Sequence, residues 1–306
     1  MTKNYDICVF GDCSLDMTYF QKEDGTFKKE PDLVVPGGKG SNQAVSASRA
    51  GAKVVIISKL GDDYLGEMII NNLKKNNVST AGIDIVEGLK NDCCKIYIDY
   101  KTKENEIARE NGSINSFTVN MIEKHKSILL SSKLIVAQMK MPKEVSVALI
   151  NFCNDNNLPI IVTPCRAEKL KISEKGNSEL LNKITYITAN KKECEIMFET
   201  ADIERCVKQF PNKLIVTLGN QGLMYFNGNK IIKLDAINVV PVIDTTGAGD
   251  TFNGNFSTFI AQGMPFDKAV EKAQYASAIK ITKKTAQQGM PYINDLNNFI
   301  NKYKKY

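Results

Sequence analysis

One histidine in 306 residues removes several chemistries at once. Zinc hydrolases and Ser-His-Asp enzymes lack the parts they need here. The one histidine, His125, lies between Lys124 and Lys126 and is expected on a solvated helix face. Eight cysteines are present but no Cys-x-x-Cys pair, and several fall inside apolar runs. They read as reduced thiols of a cytoplasmic protein, not as a disulfide framework or a zinc site. No apolar run is long enough to span a bilayer, and a strand-like run starts at Ile7, so neither a membrane segment nor a signal peptide is expected. There is no GxxxxGK[ST] and no GxGxxG after the first strand. P-loop NTPases and simple dinucleotide enzymes are therefore disfavoured. The net charge is +6, but the basic residues are scattered. No nucleic-acid stripe emerges, while a mildly positive chain suits an anionic substrate.

What is present is ordinary in bulk, 43% apolar and 24% charged, with enough length for a large α/β domain. Strand patterns are expected at Tyr5–Phe10, Val54–Leu60, Leu134–Ala137, Pro159–Thr163, Thr185–Thr188 and Lys213–Leu218. Helical patterns run over 64–76, 118–130, 143–156, 175–183, 191–198, 202–209, 267–281 and 292–302. Strand–helix alternation with apolar strands argues for a mostly parallel central sheet with helices on both faces. Leu223–Phe226 and Lys230–Leu234 read as an antiparallel hairpin at one edge. Two polar hairpins, near 18–35 and 93–109, stand apart from this alternation. Paired with each other, they would form a small sheet that serves as a lid or as a dimer contact.

The stretch around which the chain is organised is Asp244-Thr-Thr-Gly-Ala-Gly-Asp-Thr-Phe-Asn-Gly254. It follows the apolar run Val239–Ile243 and leads into Phe252, Phe256, Phe259 and Ile260, spaced as on a helix. A helix starting near Gly249 would turn its free N–H groups and positive dipole end toward an anion. Asp250 in its first turn would accept a proton from a hydroxyl beside that anion, which is the arrangement for phosphoryl transfer to an alcohol. An ordinary turn with Asp250 as a helix cap is the plainer alternative. A second glycine-rich loop, Gly37-Gly-Lys-Gly-Ser-Asn-Gln-Ala44, carries Lys39 and Asn42 into another helical pattern. Asp16, past the end of the first strand, lies where open α/β sheets bind ligands. Asn190-Lys-Lys-Glu193 fits a capping box or a contact to Mg²⁺-bound water equally well, and Thr217-Leu-Gly-Asn-Gln-Gly222 is a glycine-punctuated strand end.

These two glycine motifs resemble the signatures of the ribokinase-like (PfkB) carbohydrate kinase family. The resemblance covers the whole chain, residues 1–306, as one kinase domain with lid segments near 17–35 and 92–111. It implies an enzyme that transfers phosphate from ATP, with Mg²⁺, to a hydroxymethyl group of a ribose-like sugar. Asp250 would be the base, with Gly247, Ala248 and Gly249 forming the anion hole. Asp16, Gly38, Lys39 and Asn42 would hold the sugar. Asn190, Thr217, Gly219 and Gly222 would line the nucleotide site, with Glu193 near Mg²⁺ through water. Asp244 and the backbone of Thr246, with the loop 280–289, would bind an activating K⁺. The exposed face of the small sheet would also serve a homodimer through the lid.

Several residues depart from the family pattern. Lys140 stands where a glutamate usually meets the sugar, Arg109 is a charge in a usually apolar segment, and Thr285 replaces a glycine of the cation loop. Lys140 and Arg109 at the pocket would instead suit an acidic or phosphorylated sugar. A non-catalytic sugar- or nucleotide-binding regulator on the same fold is the alternative from another class.

Overall fold

A computed structural model describes residues 2–102 and 105–304. In chain order its strands are β1 (Tyr5–Phe10), β2 (Ser14–Phe20), β3 (Leu33–Gly37), β4 (Val54–Gly61), β5 (Val78–Val86), β6 (Asp92–Ile98), β7 (Asn105–Glu110), β8 (Ser132–Gln138), β9 (Ile160–Thr163), β10 (Tyr186–Asn190), β11 (Leu214–Thr217), β12 (Leu223–Phe226) and β13 (Ile231–Leu234). The helices are α1 (Lys39–Arg49), α2 (Tyr64–Lys75), α3 (Asn120–Lys124), α4 (Lys126–Leu130), α5 (Lys143–Asp155), α6 (Asn177–Lys183), α7 (Lys191–Phe198), α8 (Ile203–Gln209), α9 (Ala248–Ala261), α10 (Phe266–Lys280) and α11 (Ile293–Tyr303).

Nine strands form the main sheet in the order β13-β12-β11-β10-β9-β8-β1-β4-β5. Its pairs are parallel except at the β11–β12–β13 edge, which is the expected antiparallel hairpin. Successive residues of β1 point to opposite faces. Cys8 and Phe10 enter one core with α5, α7 and α8, while Ile7 and Val9 enter the other with α1, α9 and α10. Both faces are thus dry, which is why the strands read as nearly continuous apolar runs.

The two polar hairpins do pair. β2 runs parallel to β6 and gives a second sheet in the order β3-β2-β6-β7. The charged turn expected at 101–105 lies partly outside the described residues.

Two expectations need correction, and they share a cause. β5 was not foreseen, because Val-Ser-Thr-Ala-Gly-Ile-Asp-Ile-Val is a half-polar strand on the sheet edge. The helix expected over 118–130 is two short helices that meet at His125. His125 is not solvated: it is 7% exposed, with Nε2 3.2 Å from Oδ1 of Asp84 on β5. The unforeseen strand supplies the partner that lets the histidine turn inward.

Candidate active site

The N-terminus of α9 meets the N-terminal half of α1 across a seam of small residues. A Cβ on Gly254 would lie 2.4 Å from Cβ of Ser46, so the glycine permits the crossing. Ser46 Oγ donates to the Thr251 carbonyl at 3.0 Å, and Thr258 Oγ1 to the Ala47 carbonyl at 3.2 Å. The last residue of the long glycine motif therefore serves packing, and that packing brings two motifs together that are 200 residues apart in sequence.

Their meeting point is Asp250, which is 7% exposed. Its Oδ2 accepts from Asn42 Nδ2 at 3.1 Å, and its Oδ1 from Gln43 Nε2 at 3.0 Å. Gln138 Nε2 in turn donates to Gln43 Oε1 at 2.8 Å, and Gln287 Nε2 to Asn42 Oδ1 at 2.9 Å. Four neutral amides thus lock the carboxylate in one orientation while leaving it lone pairs to receive a proton. Asn42, expected to hold the sugar, has both ends of its amide committed to protein partners. Gln43 was within the motif but was not singled out, and nothing local in the sequence marked Gln138 or Gln287.

Gly247 caps α9 in the left-handed region, with φ 79°. A side chain there would also strike the Ala286 carbonyl, at 2.9 Å. The Ala248 N–H donates to Thr245 at 3.1 Å. Among the described residues, the Gly249 and Asp250 amides have no protein acceptor. A Cβ on Gly249 would meet nothing within 4 Å, so that backbone faces open space. The free donors of a helix's first turn, in an open position, make an anion site. Of the three expected anion-hole residues, Gly249 fits as it stands, whereas the Ala248 N–H is already engaged.

On one side of Asp250 lies an acidic cluster built at the β1–β2 corner. Gly38 has φ 91°, and a Cβ on it would lie 2.7 Å from the Ser14 amide, so the α1 loop presses directly against this corner. Asp12, 1% exposed, accepts from the Gly40 amide at 3.0 Å. Burial raises the pKa of Asp16 to about 6; Asp250 and Asp12 add to the rise, while Lys140 and Arg109 oppose it. Lys140 is not an unpaired charge: its Nζ is 2.7 Å from Asp12 Oδ2 and 3.7 Å from Asp92 Oδ2. Burial works against that ammonium, but Asp12 and Asp92 outweigh it and hold its pKa above the ordinary lysine value. Lys39 is exposed at the start of α1, and the Asp250 carboxylate raises its pKa. Arg109 is exposed on β7, opposite Cys94. Asp12 and Asp92 were missed in the sequence because an isolated aspartate at a strand end looks like any turn residue.

On the other side is a cleft of about 510 Å³ with largely apolar walls. Thr217, Gly219 and Gly222 line it, together with Val239, Val242 and Phe252. It reaches Ala248 and Gly249, so one continuous cavity ends at the α9 amides. A flat apolar base with phosphates at the helix end matches this shape. Asn190 does not line the cleft. It caps α7 in a full capping box, with Glu193 N–H to Asn190 Oδ1 at 2.8 Å and Asn190 N–H to Glu193 Oε2 at 2.9 Å. Its strand register still sets Asn190 beside Thr217. Glu193 therefore has one oxygen bound to backbone, and burial raises its pKa despite the Asn190 amide and Lys39. Among the described residues no cluster of three or more acidic, cysteine or histidine side chains can hold a metal. A magnesium ion carried on phosphate oxygens and water, approached through water by the second oxygen of Glu193, would fit such a sparse donor set.

The oxygens expected to bind K⁺ are arranged differently. Asp244 Oδ1 accepts from the Thr246 amide at 2.8 Å. The Asp244 carbonyl accepts from Lys280 Nζ at 2.7 Å, and the Lys283 carbonyl lies 3.4 Å from the same ammonium. Lys280 is fully buried. Thr285, in place of a glycine, adopts φ 58°, the left-handed conformation that glycine takes freely. This donor set fits an added K⁺ poorly, because a protein cation already holds the Asp244 and Lys283 carbonyls.

Comparison with known proteins bears on this geometry. The model of the pfkB family of carbohydrate kinases matches residues 4–293, so the chain belongs to that family. It is accordingly an enzyme, an ATP-dependent sugar kinase with this family's fold. The ribokinase of Bacillus subtilis (strain 168) is 33% identical over 303 residues, covering 96% of this chain and 99% of its own. The ribokinase of Lactococcus lactis is 32% identical, covering 97% and 96%. Among solved structures, the Thermotoga maritima ribokinase superposes with TM-score 0.81 at 26% identity over 96% of this chain and 99% of its own. An Arabidopsis thaliana ribokinase complexed with ribose and ATP superposes with TM-score 0.85 at 22% identity over 98% and 99%, a likeness of fold. No helix among the described residues is long and apolar enough to cross a membrane.

Proposed function

We propose that this enzyme phosphorylates the hydroxymethyl group of a neutral, ribose-like sugar with Mg·ATP. The observation that carries the reading is Asp250: an oriented carboxylate in the first turn of α9, between an acidic cluster and an apolar cleft. The sugar hydroxyl oxygen attacks the γ-phosphorus. A new O–P bond forms, the bond to the bridging β–γ oxygen breaks, the proton passes to Asp250, and ADP leaves. The amides at the start of α9 offset charge on the transferred group, and Lys39 adds a cation near it. Bound Mg²⁺, approached through water by Glu193, would neutralise the phosphate oxygens. The reading also requires a positive charge beside Asp244 and Thr246, where the family resemblance implies K⁺.

A neutral sugar is favoured over an acidic one because the nearby cations are already matched. Lys140 is paired to Asp12, and the charge of Arg109 acts on Asp16. Asp16 is left as an acceptor for sugar hydroxyls. The small sheet belongs to the reading as a lid over a single kinase domain spanning 1–306. Its exposed Phe20, Leu33 and Ile107 support a second role as a homodimer face. Eight free cysteines support a cytoplasmic location.

The test is coupled ADP release with Mg·ATP over ribose, fructose, 2-keto-3-deoxygluconate, fructose 6-phosphate and adenosine. Ribose is expected to give the highest kcat/KM. A clear preference for 2-keto-3-deoxygluconate or fructose 6-phosphate would overturn the charge argument and restore Lys140 and Arg109 as substrate ligands.

A further inference from the structure

A wholly buried lysine needs strong compensation, because a desolvated ammonium is costly unless its donors are met. Lys280, the last residue of α10, is such a residue, at 0% exposure. Its Nζ has three oxygens around it: the Asp244 carbonyl at 2.7 Å, the Lys283 carbonyl at 3.4 Å and Asp244 Oδ2 at 4.0 Å. An ammonium has three donors and no acceptor, so this cage matches it in number and charge.

The cage joins two segments that shape the phosphate site. Ile243 and Asp244 both donate to the Ile281 carbonyl, at 2.8 and 3.2 Å. Asp244 Oδ1 takes the Thr246 amide and so sets the turn that delivers Gly247. Gly247 packs on Ala286, within the loop that follows Lys280. Ser277, one turn before Lys280, donates to the Ala248 carbonyl at 2.9 Å. One buried ammonium therefore sits where α10, its following loop and the start of α9 converge.

We infer that Lys280 is a built-in monovalent cation, a positioning residue whose ammonium holds the Asp244–Thr246 turn against the 280–289 loop and makes bound K⁺ unnecessary. The inference rests on the kinase reading above for its activity readout, but its geometry stands apart from the identity of the sugar. A free K⁺ seeks carbonyl and carboxylate oxygens, and here the Asp244 and Lys283 carbonyls are already turned to Nζ. A second positive charge in the same cage would face direct repulsion, with only Asp244 to balance both. Lys280 touches none of the reacting atoms; it acts through the placement of Gly247 and Gly249, where a displacement on the order of 1 Å costs about 10²-fold in rate.

The experiment compares the wild-type enzyme with Lys280→Ala and Lys280→Met in K⁺, Li⁺ and tetramethylammonium buffers. ADP affinity is measured by calorimetry and turnover by ADP release. The wild type is expected to change less than about twofold among the three cations in either readout. Lys280→Ala is expected to lose about 10²-fold in kcat in tetramethylammonium. It should regain activity and ADP affinity on addition of K⁺ or methylammonium, which refill the cage. Lys280→Met keeps the volume without the charge, so it should lose activity and resist methylammonium rescue; it also replaces the alanine variant should that fail to fold. Wild-type stimulation by K⁺ of tenfold or more over Li⁺, or a Lys280→Ala enzyme that is fully active and indifferent to cations, would overturn the inference. If no sugar is phosphorylated at all, the functional reading fails. The cation dependence of ADP affinity then still decides the role of Lys280.

Discussion

The two sides of the α9 N-terminus use opposite means. Toward the acidic cluster, side chains dominate: Asp12, Asp16, Asp92, Asp250, Lys140 and Lys39 interact through charge, and four amides, two of them from α1, fix Asp250. Toward the cleft, backbone and apolar walls dominate, with Gly219, Gly222, Val239, Val242 and Phe252 around a slot that ends at helix amides. A polar ligand with several hydroxyls must be read by directed acceptors, whose positions depend on many partners. A flat base and a phosphate need only a dry slot and aligned N–H groups. On the proposed reading, sugar specificity rests on directed acceptors such as Asp16, while the nucleotide side would tolerate exchange of one apolar residue for another.

The sharpest test of that contrast acts at the junction. Asp250→Asn should lower kcat by about 10²–10⁴ and leave KM for both substrates nearly unchanged. Steady-state kinetics at saturating ATP and sugar would decide it, since near-normal turnover removes Asp250 as the base. A large change in stability should come from Lys140→Met, which strands Asp12 beside Asp92. Denaturant unfolding should show a loss on the order of 3–5 kcal/mol. Lys140→Glu, which would improve ribose use if Lys140 faced the sugar, is now expected to do worse, because a third carboxylate would join Asp12 and Asp92. Unchanged stability in both variants would mean that the ammonium is not committed to Asp12.

The smallest expected effect separates the two sides by pH. With its pKa at about 6, Asp16 is ionised at neutral pH and becomes neutral as pH falls through that value. Sugar KM should therefore rise below about pH 6, while ATP KM should not. Asp16→Asn should raise sugar KM about 10- to 100-fold, the worth of a charge-assisted hydrogen bond, and abolish the pH trend. Stability runs the other way. A carboxyl whose folded pKa is raised contributes stability that is full below its unfolded value near 3.8 and is lost as pH rises through about 6. The asparagine variant should be flatter over that window. A sugar KM independent of pH between 5 and 7 would place Asp16 outside the pocket.

Much of the fold was legible because its signals are local. The apolar runs of β1, β4 and β8 and the amphipathic stretches of α5, α7 and α10 carry their period in consecutive residues. The α9 start, too, was legible, since a glycine pair before an aspartate specifies a backbone conformation as well as a chemistry. β5 was not, because an edge strand is half wet and its alternation is weak. His125 was misplaced because its partner, Asp84, lies 41 residues away. Lys140 read as a charge aimed at substrate because Asp12, 128 residues distant, bears no mark of pairing.

The amino-acid sequence by itself determined the layers, the two hairpins, the helix that bears Asp250 and the glycines that open its amides. Each depends on backbone preference and hydrophobic period, which neighbours in the chain impose. Only the tertiary structure decided which charges answer one another: Lys140 with Asp12, Lys280 with Asp244, and the amides of Asn42 and Gln43 with Asp250. Electrostatic partners are chosen by distance and burial after the elements pack, and a linear pattern holds no record of either.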